Sequence, residues 1–130
     1  MTLNHLNLTV PDPSQTSAFL AKYFGLQPRG GNLGIQMLND DRGMVLTLIK
    51  ARPEDRVEGA AGKPAAGAAG SVRYPSSFHI GFIQPSREGV DEINRRLRDD
   101  GFPVDAPAHL HGSWTFYFTA PGGFTVEVLS

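Results

Sequence analysis

The residues of this chain best equipped for chemistry are two histidines and a glutamate: His5, His79 and Glu127. Each histidine lies in a short apolar segment, LNHLNLTV and SFHIGFIQ, and each segment runs into a proline, Pro11 and Pro85, six residues past the histidine. Glu127 sits in GGFTVEVLS, which closes the second half. Two neutral imidazoles and one carboxylate suit Fe(II), Mn(II), Ni(II) or Zn(II), and three protein ligands leave positions open for substrate, water or oxygen. A lone strand histidine is ordinarily satisfied by a neighbouring hydrogen bond. Three such groups at matched places favour ligation instead, because a carboxylate in an apolar strand is costly unless paired or on a metal.

The elements that must hold these groups come in two similar runs. Positions 3–10 alternate, with Leu6, Leu8 and Val10 on one strand face and His5, Asn7 and Thr9 on the other. Asp12 followed by Pro13 predicts an N-cap and first helical residue, a helix to Phe24, and a stop at Gly25. Strands are predicted near Leu26–Arg29, Leu33–Leu38 and Met44–Lys50, with turns at Gly30-Gly31 and from Asn39 to Gly43. The second run repeats the order. A strand over Ser77–Gln84 places Phe78, Ile80 and Phe82 opposite His79 and Gly81. A helix from Ser86 to Asp100 carries Val90, Ile93 and Leu97 on one stripe. Strands follow near Val104–Leu110, Ser113–Thr119 and Phe124–Leu129. In the last of these, Thr125, Glu127 and Leu129 share the face opposite Phe124, Val126 and Val128.

The expected fold is therefore α+β: two βαβββ modules with curled mixed sheets forming a cup, helices outside. Module 1 covers about 1–50, a linker about 51–75, and module 2 about 76–130. From Gly59 to Gly70 the linker contains only Gly, Ala, one Lys and one Pro, a composition that cannot build a core.

Bulk composition narrows the function. With 130 residues the chain has room for one domain and a real core. A net charge of −1 offers no basic surplus for nucleic acid. The absence of cysteine excludes disulfides and thiolate metal sites. MTLNHLNLTV has neither the positive region nor the cleavage site of a signal peptide, and no apolar run approaches the ~18 residues of a membrane span. The expectation is a soluble, cytoplasmic protein.

With these motifs in place, the whole chain resembles the vicinal oxygen chelate superfamily, which includes glyoxalase I, extradiol dioxygenases, fosfomycin-resistance enzymes and bleomycin-binding proteins. The resemblance rests on the paired halves, on LNHLNLTVPD and SFHIGFIQ, and on FYFTAPGGFTVEV near the end, where Ala120 stands in place of the family's usual Asp. It implies a divalent metal, Fe(II) or Mn(II) before Zn(II) or Ni(II), held by His5, His79 and Glu127. Aligning Gly43 with Gly123 puts Thr47 in the fourth ligand place, where glyoxalase I typically has a carboxylate or amide. The remaining three-ligand pattern is that of the extradiol dioxygenases and fosfomycin enzymes. Both carry a substrate-contacting tyrosine at the place of Tyr117, ten residues before Glu127. Pro107 stands where the fosfomycin enzymes have a lysine, which argues against that chemistry.

The resemblance also implies a homodimer and a small-molecule substrate with vicinal oxygens, processed by a dioxygenase-like reaction. Tyr117 is the expected catalytic group, with Asn7, Met37, Thr47 and Thr115 lining the cup. His109 and His111 lie near a second-sphere position of the dioxygenases but read as ordinary loop histidines. The competing class is a metal-free drug- or metabolite-binding protein, for which cup residues such as Met37 and Tyr117 would serve equally well.

Overall fold

A computed structural model describes residues 1–57 and 71–130, so the Gly59–Gly70 segment expected as a linker lies outside the described residues. The first module contains β1 (His5–Val10), α1 (Pro13–Phe24), β2 (Gln27–Asn32), β3 (Ile35–Asn39) and β4 (Val45–Lys50). A 3-10 turn (Pro53–Asp55) and two short paired strands, β5 (Arg56–Val57) and β6 (Ser71–Val72), lie between the modules. The second module contains β7 (His79–Ile83), α2 (Arg87–Asp99), β8 (Ala108–Leu110), β9 (Ser113–Thr119) and β10 (Thr125–Leu129).

Local chemistry sets the helix ends as expected. The Asp12 carboxylate accepts from the Gln15 N–H at 2.9 Å, and Gly25 adopts φ 71° and returns its N–H to the Ala21 carbonyl. Both devices satisfy backbone groups that a helix terminus leaves unpaired. Ser86 caps α2 through the Gly89 N–H.

Each module makes one four-stranded sheet, ordered β1-β4-β3-β2 and β7-β10-β9-β8. In both, the first strand of the module lies at the sheet edge and pairs in parallel with the last, and the remaining pairs are antiparallel. The sheets are mixed, and the two βαβββ modules of an α+β fold are as the sequence implied.

Two boundaries differ from expectation. Gly30 and Gly31 do not turn the chain but lie inside β2, where the register slips between Pro28 and Gly30. Their φ values, 114° and 150°, are open to glycine, and a Cβ on Gly31 would meet the Ile35 carbonyl at 2.1 Å. The actual turn falls at residues 33–34, where Asn32 Oδ1 accepts from the Gly34 and Ile35 N–H groups. β8 is also shorter than the segment from Val104 predicts, because Pro103 and Pro107 cannot donate to a ladder.

One core serves both modules. Leu8, Val10, Leu38, Leu46 and Leu48 from the first sheet join Phe116, Phe118, Val126 and Val128 from the second, with α1 and α2 contributing Phe19, Leu20, Tyr23, Val90, Ile93 and Leu97. Phe24 stacks on Phe82 with ring centres 4.2 Å apart, an aromatic contact worth about 0.5–1.5 kcal/mol beyond its buried area. Polar contacts add to this: Tyr74 donates to the Thr9 carbonyl at 2.5 Å, Lys22 and Tyr23 of α1 both donate to the Asp100 carboxylate, and Arg96 donates to the Lys22 carbonyl at 2.8 Å. Because both sheets give their apolar faces to this shared core, their other faces must point away from it. That parity decides where the candidate ligands go.

Candidate metal centre

Strand register assembles the second-module half of the site. Glu127 pairs with Gly81 on one side and with Tyr117 on the other, so these three form a row across the centre of the sheet. His79, two residues before Gly81, lies on the same face beside Thr125. The His79 Nε2 is 3.4 Å from Glu127 Oε2, with the imidazole 44% and the carboxylate 14% exposed. The His79 ring meets the Tyr117 ring edge-on at 5.8 Å.

Hydrogen bonds around this pair orient it. His79 Nδ1 faces the Ser77 carbonyl at 3.2 Å. A carbonyl only accepts, so Nδ1 carries a proton and Nε2 is the ring nitrogen turned toward Glu127. Two acceptors facing each other at 3.4 Å repel unless a positive charge lies between them, either a proton on Nε2 or a metal ion. The spacing suits an ion: two ligands each ~2.0–2.2 Å from a common metal lie about 3–3.5 Å apart. The second carboxylate oxygen, Oε1, accepts a short hydrogen bond from the Tyr117 hydroxyl and lies 3.3 Å from Thr115 Oγ1. Thr115 is buried, and its hydroxyl is closer to the Val128 carbonyl, at 2.8 Å. The Glu127 bond, reinforced by partial burial and by the carboxylate's charge, raises the Tyr117 phenol above its ordinary range and keeps it a donor.

Gly81 is a site residue that the sequence reading passed over as mere strand parity. Its backbone is not in the left-handed region, so conformation does not demand glycine. A Cβ there would lie 3.7 Å from Glu127 Oε2 and 3.6 Å from Leu129. Glycine therefore leaves the carboxylate uncovered. The available signal was a glycine between β-formers in a strand, a mark of close approach by another group.

The first module presents the matching row on its own sheet. Thr47 pairs with Asn7 and with Met37, as Glu127 pairs with Gly81 and Tyr117. This register places Thr47 opposite Glu127 in the repeat and His5 opposite His79. His5 Nδ1 contacts Asn4 Oδ1 at 2.7 Å, which likewise leaves Nε2 outward. His5 and Asn7 are exposed, Thr47 is half-buried and Met37 is 40% exposed. Within one chain, however, His5 faces away from the shared core on one sheet, while His79 and Glu127 do so on the other. Accordingly, no cluster of three metal-binding side chains forms among the described residues.

The other two histidines stand apart. His109 pairs with Trp114 and touches its ring edge-on at 5.1 Å, on the face opposite Thr115 and Tyr117. Trp114 donates to Asp91 of α2 at 2.8 Å, confirming that this face is the helix side. His111 occupies the turn after β8 with φ 51°.

Residues 2–128 match the model of the glyoxalase/bleomycin resistance protein/dioxygenase superfamily. The chain belongs to this superfamily. Among solved structures, a possible glyoxalase from Bacillus cereus is 42% identical with a TM-score of 0.81, covering 100% of this chain and 99% of that one. A lactoylglutathione lyase from Agrobacterium tumefaciens shares the fold at 24% identity and TM-score 0.70, over 98% and 92% of the two chains. So does the fosfomycin resistance protein FosX from Listeria monocytogenes, solved with Mn(II) and sulfate, at 19% identity and TM-score 0.73, over 99% and 89%. No curated protein matches the sequence. The superfamily member described here thus has the paired-module fold, and among the described residues no helix is long and apolar enough to cross a membrane.

Proposed function

We propose that this protein is a metal-dependent enzyme acting on a small molecule with vicinal oxygens, with His79 and Glu127 of one chain and His5 of a second copy as the ligands. The observation that carries the reading is the His79–Glu127 pair, two lone-pair donors 3.4 Å apart on an open sheet face, with the imidazole tautomer set by Ser77. The donor set fits a first-row divalent ion, Fe(II) or Mn(II) in preference to Zn(II) or Ni(II). When bound, such an ion supplies Lewis acidity toward two adjacent substrate oxygens.

The same reading calls for a homodimer. The ligand-bearing faces carry apolar side chains left exposed in one chain: Met37 (40%), Ile49 (38%) and Ile83 (72%). Apposing the first sheet of one copy to the second sheet of another would cover them and bring His5 to His79 and Glu127, with Asn7, Thr47 and Met37 lining the facing wall. The proposed reaction is dioxygenase-like. A three-residue ligand set, with Thr47 in the fourth place, leaves room for a bidentate substrate and oxygen.

The test begins with metal analysis of protein purified without a tag or added metal, beside His79→Ala and Glu127→Ala. Anaerobic Fe(II) loading followed by a panel of catechols and hydroxy-ketones, with oxygen uptake recorded, then tests the reaction class. Stoichiometric metal that both variants lose is the expected result. Tight binding of a drug-like ligand that survives both substitutions, with no turnover, would establish the metal-free binding protein instead.

A further inference from the structure

We infer that Tyr117 is a positioning residue: it holds one oxygen of Glu127 so that only the other can reach the metal. This rests on the metal reading above and reassigns a tyrosine expected to touch substrate.

Tyr117 and Glu127 are directly opposed on β9 and β10, the arrangement in which antiparallel side chains meet most closely. The Tyr117 hydroxyl donates to Oε1. Thr115 competes poorly for that role, because a hydroxyl has one hydrogen and the Val128 carbonyl is closer (2.8 Å) than Oε1 (3.3 Å). The phenol is therefore the donor that orients the carboxylate. With Oε1 held, Oε2 alone faces His79 Nε2. A carboxylate restrained in this way ligates through one oxygen. The position that a bidentate carboxylate would occupy stays free for substrate. Hydrogen-bond partners of ligands that orient them in this manner are worth about 10–100-fold in metal affinity when removed.

Tyr117→Phe removes the donor and keeps the ring. The measurement is Mn(II) affinity by competition with a chelating dye, together with the visible spectrum of the Co(II)-loaded protein. Wild type, Glu127→Ala, His79→Ala, Tyr117→Phe and Thr115→Val are compared, with thermal unfolding of each recorded. The expected result is loss of binding in Glu127→Ala and His79→Ala. Affinity should fall about 10–100-fold in Tyr117→Phe. Its Co(II) bands should weaken as the released carboxylate turns bidentate and coordination number rises, a change that a purely structural role would not produce. Thr115→Val should change affinity far less. Ring-fluorinated tyrosine at position 117, which retains the hydroxyl, should restore both affinity and spectrum. If Glu127→Ala and His79→Ala bind Mn(II) like wild type, the metal reading itself fails. If they lose Mn(II) while Tyr117→Phe keeps wild-type affinity and spectrum, the metal reading stands and the positioning role is overturned. Failure of the fluorinated residue to restore binding would overturn it as well, because a hydroxyl at position 117 would then not be what sustains affinity.

Discussion

Mixing two inactive variants tests whether the candidate site is shared between chains. His5 lies on the first sheet and His79 with Glu127 on the second, and both ligand faces point away from the core that the sheets share. A dimer that apposes unlike sheets contains two sites, each with His5 from one chain and His79 and Glu127 from the other. His5→Ala alone and His79→Ala alone leave every site short of a ligand. Co-refolding them in equal amounts makes about half of the dimers mixed. In each mixed dimer one site lacks both histidines and the other is intact. Recovery should therefore be about one quarter of the wild-type sites. Mn(II) bound at a free concentration that just saturates wild type reads this fraction, and light scattering on the same sample reads the mass. Recovery absent from the mixture while wild type binds, or a wild-type mass fixed near 14.1 kDa at all concentrations, would refute the shared site.

Other expectations follow from single contacts. Gly81→Ala should fold normally because its Cβ finds ordinary spacing, whereas Gly81→Leu should cover the Glu127 carboxylate and depress metal binding, measured by Mn(II) titration beside thermal unfolding. Asp12→Ala removes the cap on α1 and should cost about 1 kcal/mol in urea unfolding. Tyr74 gives a pH test. Burial raises its phenol to about 12 in the folded protein, against ~10 unfolded. A raised folded pKa adds stability that is fully present below about pH 10 and is lost as pH rises toward 12, roughly 1–2 kcal/mol after allowing for partial exposure. Tyr74→Phe should remove this alkaline loss and cost about 1 kcal/mol at neutral pH through the missing bond to Thr9, both read by denaturant unfolding across pH.

Much of the architecture could be read in the chain because it is written in local rules. Asp12-Pro13 and Gly25 bound α1 through capping chemistry that needs no distant partner. Alternation in β1, β7 and β10 put His5, His79 and Glu127 on the faces opposite the leucines, valines and phenylalanines, since side chains of a strand alternate regardless of what the strand packs on. Aligning Gly43 with Gly123 equated Thr47 with Glu127, and strand register reproduces that match, because both loops feed a central parallel strand in the same way. The β2 bulge was not legible: Gly30-Gly31 has the composition of a turn, and only the close approach of the Ile35 carbonyl makes it part of a strand.

The partners of each group, by contrast, belong to tertiary structure. Sequence alone could not show that Tyr117 spends its hydroxyl on Glu127, that Ser77 sets the His79 tautomer, or that Gly81 keeps the carboxylate open. Each depends on which residue strand pairing or a turn brings alongside. Nor could it say which way the modules face. Two amphipathic sheets can bury their apolar faces on separate cores or on one. In this chain the aromatic contacts of Phe19 and Phe24 with Phe82, Phe102 and Phe118 join them in a single core. That packing turns the ligand faces outward and separates His5 from the two residues whose chemistry it matches.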